Sequence, residues 1–95
     1  MPAYVIFDIK VNNPTQYEEY KRQSTPTVEM FGGKYLARDG KTERLEGNWS
    51  PSRLVILQFP NIDQARSWLN SPLYTEAKRI RQKAAISNVV VTEGV

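Results

Sequence analysis

From Tyr4 to Val11 the chain alternates strictly, with Val5, Phe7, Ile9 and Val11 on one side and Tyr4, Ile6, Asp8 and Lys10 on the other. A period of two predicts a strand with one wholly apolar face and one mixed face. Asn13-Pro14-Thr15-Gln16 then supplies a helix cap, a proline at the first helical position and a Gln placed to close a capping box. The helix that follows carries Tyr17, Tyr20, Ser24, Val28 and Phe31 on one inward stripe. Pro26 removes a backbone donor inside that stretch, which predicts a kink or a break into two pieces with Thr25 capping the second. Gly32-Gly33 supplies the positive φ that ends helices.

Lys34 to Arg38 predicts a second strand, and Asp39-Gly40 is a hairpin signal that leads into a short return strand near Thr42 to Glu46. A loop from Gly47 to Ser52 separates it from Arg53 to Phe59, a strand that is apolar on both faces over Leu54-Val55-Ile56-Leu57 and therefore central. Asn61-Ile62-Asp63-Gln64 repeats the capping-box pattern and opens a helix that buries Ala65, Trp68 and Leu69. Ser71-Pro72 restarts it, Ala77, Ile80 and Ala84 continue its inner face, and Ser87 to Glu93 closes the chain as a strand.

The order is β-α-β-β-α-β over a single domain spanning residues 1–95. Two strand-helix-strand units with right-handed crossovers give an α+β, ferredoxin-like four-stranded antiparallel sheet with both helices on one face. The other face keeps Tyr4 and Ile6 together with half of the apolar residues of Leu54 to Leu57. Covering several hundred Å² at about 25 cal/mol per Å² is worth on the order of 10 kcal/mol, comparable to the stability of a whole small domain. A twin sheet is the natural cover, so the expected assembly is a homodimer forming an α/β barrel, with Asp8, Arg38, Arg53 and Gln58 lining its interior.

Four stretches carry a family resemblance: Gly32 to Arg38, Leu45 to Pro51, Phe59-Pro60, and Trp68 to Tyr74. Together they resemble the DUF1330 family of the dimeric α/β-barrel superfamily. Leu69 stands where many relatives have Tyr, and Leu73 where an acidic residue is common. The resemblance implies the fold and the pairing. It implies no activity, since the superfamily spans cofactor-independent monooxygenases, haem-degrading enzymes and stress-responsive proteins.

Composition narrows the chemistry. The chain has neither His nor Cys, which removes Ser-His and Cys-His nucleophiles, His-held haem and thiolate metal sites. No metal site and no cofactor is expected. The absence of cysteine fits a reducing compartment, the start Met1-Pro2-Ala3-Tyr4 reads as mature structure rather than a leader, and no apolar run approaches the roughly 20 residues of a membrane span. The expected location is cytoplasmic. Lys78, Arg79, Arg81 and Lys83 against Glu76 account for the whole net charge of +3. At a helix end such cations complement the dipole and solvate an outer face, which is favoured over a nucleic-acid patch.

The remaining candidates for a ligand pocket are Tyr17, Tyr20, Tyr35, Arg38, Glu46, Trp49, Arg53 and Tyr74. The tyrosines also fit a core in which the ring is buried and the hydroxyl is wetted, and Trp49 fits a plug that anchors its loop. Arg38 and Arg53 could clamp a carboxylate or pair across the sheet with Asp8 or Glu46. With the chemistry of His and Cys removed, the resemblance implies a non-catalytic ligand-binding or stress-associated homodimer with a small-molecule ligand. The alternative that the resemblance and the Tyr, Trp and Arg set allow is a cofactor-independent monooxygenase or isomerase acting on a small aromatic or carboxylate metabolite. No residue is assigned a catalytic role.

Overall fold

The computed structural model describes residues 1–95. Its elements run β1 (Ala3–Val11), α1 (Pro14–Met30), β2 (Lys34–Arg38), β3 (Leu54–Phe59), α2 (Ile62–Leu69), α3 (Pro72–Ala84) and β4 (Ala85–Glu93). The sheet has the order β2-β3-β1-β4 and every neighbour is antiparallel. This is the ferredoxin-like α+β arrangement, with the second helical stretch divided in two.

The caps form where the sequence puts them, but neither Gln closes a capping box: Asn13 N bonds the Ala84 carbonyl and the Gln64 side chain donates to the Phe31 carbonyl. Asn13 Oδ1 accepts from Gln16 N, Asn61 Oδ1 from Gln64 N and Ser71 Oγ from Tyr74 N, each relieving an orphan donor of the first turn. Pro26 does not break α1, which runs through it as one helix. A break would separate Val28 from Tyr17, Tyr20 and Ser24, which share one buried face. Thr25 is not a second cap; its Oγ1 donates back to the Lys21 carbonyl at 2.8 Å.

The core is the layer between the sheet and the helices. Val5, Phe7, Ile9, Val55, Leu57 and Phe59 meet Tyr17, Tyr20, Val28, Ala65, Trp68, Tyr74 and Ala77 there. On the opposite side the register sets Val90, Ile6, Ile56 and Ala37 in one row across all four strands, flanked by Tyr4 and Leu54. Val90 is 58% exposed, so no element of this chain covers that end of the row. Asp8 and Gln58 share this open face, as expected. Arg38 does not: a bulge between Tyr35 and Ala37 puts it in register with the inward Val55.

The return strand predicted at Thr42 to Glu46 is absent, and residues 39–53 form one long connection. Only Leu45 among Lys41 to Glu46 is apolar, so the segment has no face to bury. Asp39 takes a φ of +62°, but its carboxylate is engaged on the helix side instead of turning a hairpin. The connection is pinned on the open face, where Asp8 accepts from the Trp49 indole at 2.8 Å and from Ser52 N at 3.1 Å. At the chain ends, Gly94 N donates to the Pro2 carbonyl at 2.7 Å.

The two glycines after α1 have different reasons. Gly32 has φ +77° and closes the helix, its N–H bonding the Glu29 carbonyl at 3.0 Å. Gly33 is needed for space: a Cβ there would lie 2.6 Å from Phe59 Cε1 and 2.8 Å from Val28 Cγ1. Gly33→Ala is therefore expected to destabilise the domain by about 1–3 kcal/mol in urea unfolding, as overpacking of a full core does. Gly40→Ala, where a Cβ meets nothing within 4 Å, is the neutral control.

Candidate functional site

The eight candidate residues divide into two groups on opposite faces of the sheet. Tyr17 and Tyr20 from α1, Tyr35 and Arg38 from β2, and Arg53 just before β3 gather on the helix side. Tyr74 from α3 lies behind them. Glu46 and Trp49 belong to the long connection on the other side, where they border a shallow groove of about 340 Å³ with Leu54 and Pro51. Trp49 is 61% exposed; its N–H anchors the loop, while its ring plugs nothing. The expected pairing of Arg38 or Arg53 with Asp8 or Glu46 does not form, because Asp8 already holds Trp49 and Ser52 on the far face.

On the helix side the arginines stack on tyrosines. The Arg38 guanidinium lies 4.3 Å from the Tyr35 ring centroid and donates to Thr25 Oγ1 at 3.1 Å. Arg53 lies 4.8 Å from the Tyr17 centroid. One carboxylate bridges two of the cations at this mouth: Asp39 Oδ1 is 3.0 Å from Arg53 Nη1, and Asp39 Oδ2 is 3.5 Å from Lys21 Nζ. The Arg53 contact is an ion pair without hydrogen-bond alignment, since Nη1 has no hydrogen-bond partner. Lys21 is also held by Glu18 at 3.1 Å, so three cations face two acids, and the remaining positive charge, with Arg38 paired to no carboxylate, favours an anion.

Beneath this mouth the space is nearly full. A hollow bordered by Tyr17, Tyr20, Tyr35, Arg38, Lys21 and Trp68 has a volume of about 10 Å³, at the threshold for one water. Its floor is an aromatic stack: Trp68 sits 4.2 Å from Tyr74, 5.4 Å from Phe59 and 6.1 Å from Phe7 between centroids. The Tyr20 and Tyr74 hydroxyls bond each other at 2.8 Å, and the Trp68 indole donates to Thr27 Oγ1 at 3.0 Å. Every polar tip in the stack is satisfied inside the protein.

Burial pushes the Tyr20 phenol well above its ordinary value and raises Tyr74 as well. It also raises Tyr17, an effect that the adjacent Arg53 guanidinium partly offsets. All three stay protonated at neutral pH, so none of them is a ready proton acceptor.

Sequence reasoning missed three participants. Lys21 follows Tyr17 by four positions and so shares its helical face. The hairpin signal of Asp39-Gly40 hides the ion-pairing role of Asp39. The charge count places Arg81 on an exposed basic face, yet it is 5% exposed and belongs to the inward series Tyr74, Ala77, Arg81 and Ala84. That spacing was the available signal. With Arg81 inside, the basic stretch is no longer a continuous outer patch.

The one-sided sheet under three helical segments defines a ferredoxin-like α+β domain. The chain belongs to the DUF1330 family, whose model, described as a domain of unknown function, matches residues 2–95. A protein of unknown function from Rhodopseudomonas palustris, RPA0582, superposes with a TM-score of 0.80 at 21% identity, covering 99% of this chain and 82% of that one. SnoaB, a cofactor-independent oxygenase from Streptomyces nogalater, gives 0.73 at 14% identity over 99% and 93% of the two chains. Rv0793 from Mycobacterium tuberculosis gives 0.60 at 12% identity over 100% and 96%. Among curated proteins none matches. These likenesses establish the fold.

The raised phenols have a consequence in alkali. Their folded values exceed the unfolded value of about 10.0, so the stability they contribute is complete below pH 10 and is lost as pH rises further. In an alkaline titration followed at 295 nm, the phenolate signal of Tyr17, Tyr20 and Tyr74 is expected to appear only together with loss of the far-ultraviolet circular dichroism. Their ionisation within a still folded protein would contradict this burial.

Proposed function

We propose that the protein is a cytoplasmic homodimer that binds a small carboxylate without turning it over. The carboxylate would sit at the mouth formed by Arg38, Arg53 and Lys21, over the Tyr17 and Tyr35 rings. The observation that carries this reading is the excess positive charge of that mouth, where Arg38 has no carboxylate partner and Lys21 and Arg53 share Glu18 and Asp39, with both guanidinium groups already oriented by aromatic faces. Arginine so oriented loses little freedom on gripping a planar carboxylate. The 10 Å³ hollow supports binding over turnover, since it would have to open before it enclosed a metabolite.

Pairing is supported by the apolar row on the uncovered face, which a second copy would bury. No helix is long and apolar enough to cross a membrane, and the cysteine-free composition suits a reducing compartment. A cofactor-independent oxygenase is the second reading, favoured by the likeness to SnoaB. The protonated tyrosines weigh against it.

Two measurements test these readings. In sedimentation the protein is expected at twice 10.9 kDa, and Ile6→Glu, which places a charge in the middle of the apolar row, is expected to yield monomer. A wild-type monomer at micromolar concentration would refute the pairing. Titration with benzoate is expected to show saturable binding that Arg38→Met weakens about tenfold, the worth of one charge-assisted bond. Oxygen consumption in a panel of phenolic substrates would instead favour the oxygenase.

A further inference from the structure

On the other side of the aromatic stack, the last turns of α3 and the start of β4 border a second hollow of about 350 Å³, open to solvent and lined by Lys78, Arg81, Gln82 and Ser87 with Leu69 and Val89. Arg81 is its distinctive wall. The residue is 5% exposed, and no carboxylate in the protein lies within ion-pair distance of it, every salt bridge being made by other residues. Its one side-chain hydrogen bond is long, 3.4 Å from Nε to the Tyr74 hydroxyl, and its guanidinium lies 5.4 Å from the Phe7 ring centroid. Beside it, Ser87 Oγ is buried without any partner.

A guanidinium cannot shed its charge by deprotonation, and burying it without a counter-ion is strongly unfavourable. Neither the neutral hydroxyl nor the ring face compensates for a full carboxylate. Helix-end electrostatics offers a partial reason for a cation here, because Arg81 is in the last turn of α3. It does not explain why the group is turned inward while Lys83 in the same turn is exposed.

We propose that this hollow is a binding site for a small oxyanion, a carboxylate or a phosphate. The Arg81 guanidinium grips two of its oxygens, the Ser87 hydroxyl donates to it and Lys78 supplies a second charge at the rim. Planar bidentate recognition of this kind is the chemistry to which arginine is suited. The site is separate from the mouth at Arg38 and does not depend on it; the two are linked through the Phe7 ring and the Tyr20 and Tyr74 hydroxyls that lie between them.

The test follows thermal unfolding and amide chemical shifts of the full protein during titration with inorganic phosphate and with acetate, against sodium chloride at matched ionic strength. One or both anions are expected to raise the Tm by several degrees above the chloride control, with shifts centred on Arg81 and Ser87. Phosphate alone doing so assigns the site to phosphates, and acetate alone to carboxylates. Arg81→Met is expected to abolish the anion effect while leaving the anion-free Tm equal or higher, because an uncompensated charge has been removed. Lys78→Ala, at the rim, is expected to weaken binding a few-fold without loss of folding, and Arg38→Met to leave it unchanged.

Equal response to phosphate, acetate and chloride in the wild type overturns the proposal. So does an anion effect that survives Lys78→Ala and Arg81→Met undiminished. An Arg81→Met protein of much lower Tm, combined with no anion-specific shift in the wild type, would assign the guanidinium to the helix end instead.

Discussion

Trp68 is where all the layers meet. Its ring lies against Phe7 and Phe59 from two adjacent strands and against Tyr74 from α3, while its N–H reaches across to Thr27 on α1. A side chain of this size can be fully buried only if both faces are packed and its polar atom is satisfied. Both conditions hold, and they fix how the helical layer sits on the sheet. The gap left for Tyr20, and hence the depth of the hollow behind Arg38, follows from that placement.

Much of the fold could be read in the sequence because it is written in local rules. Alternation from Tyr4 to Val11 names the buried face of β1, and the three Asn/Ser caps, two of them followed by proline, name the helix starts. Failures came where a distant partner overrode a local signal. Asp39-Gly40 is good hairpin chemistry, but Lys21 and Arg53 capture the Asp39 carboxylate from other elements. Pro26 is a helix breaker in isolation; the packing of Val28 outweighs the one donor it removes.

The candidate site was legible in part for the same reason. Tyr17, Tyr35, Arg38 and Arg53 converge, because strand register and helical spacing together set their direction. Glu46 and Trp49 do not join them, since the loop that carries them closes over the opposite face. Arg81 shows the cost of reading charge by composition. Counted with its basic neighbours it is one more surface cation, whereas counted by position from Tyr74 it is a core residue.

The double grip of Asp8 on Trp49 and Ser52 bears on how this fold can vary. Between Asp39 and Trp49 the chain forms no ladder, and a free coil grows in closure entropy only slowly with length. Insertions or deletions there would leave both attachment points and the β2-β3 register intact. Descendants of this domain are thus free to remodel that arch, and with it the rim of the uncovered sheet, so long as one acidic side chain on the central strand keeps the far post fastened.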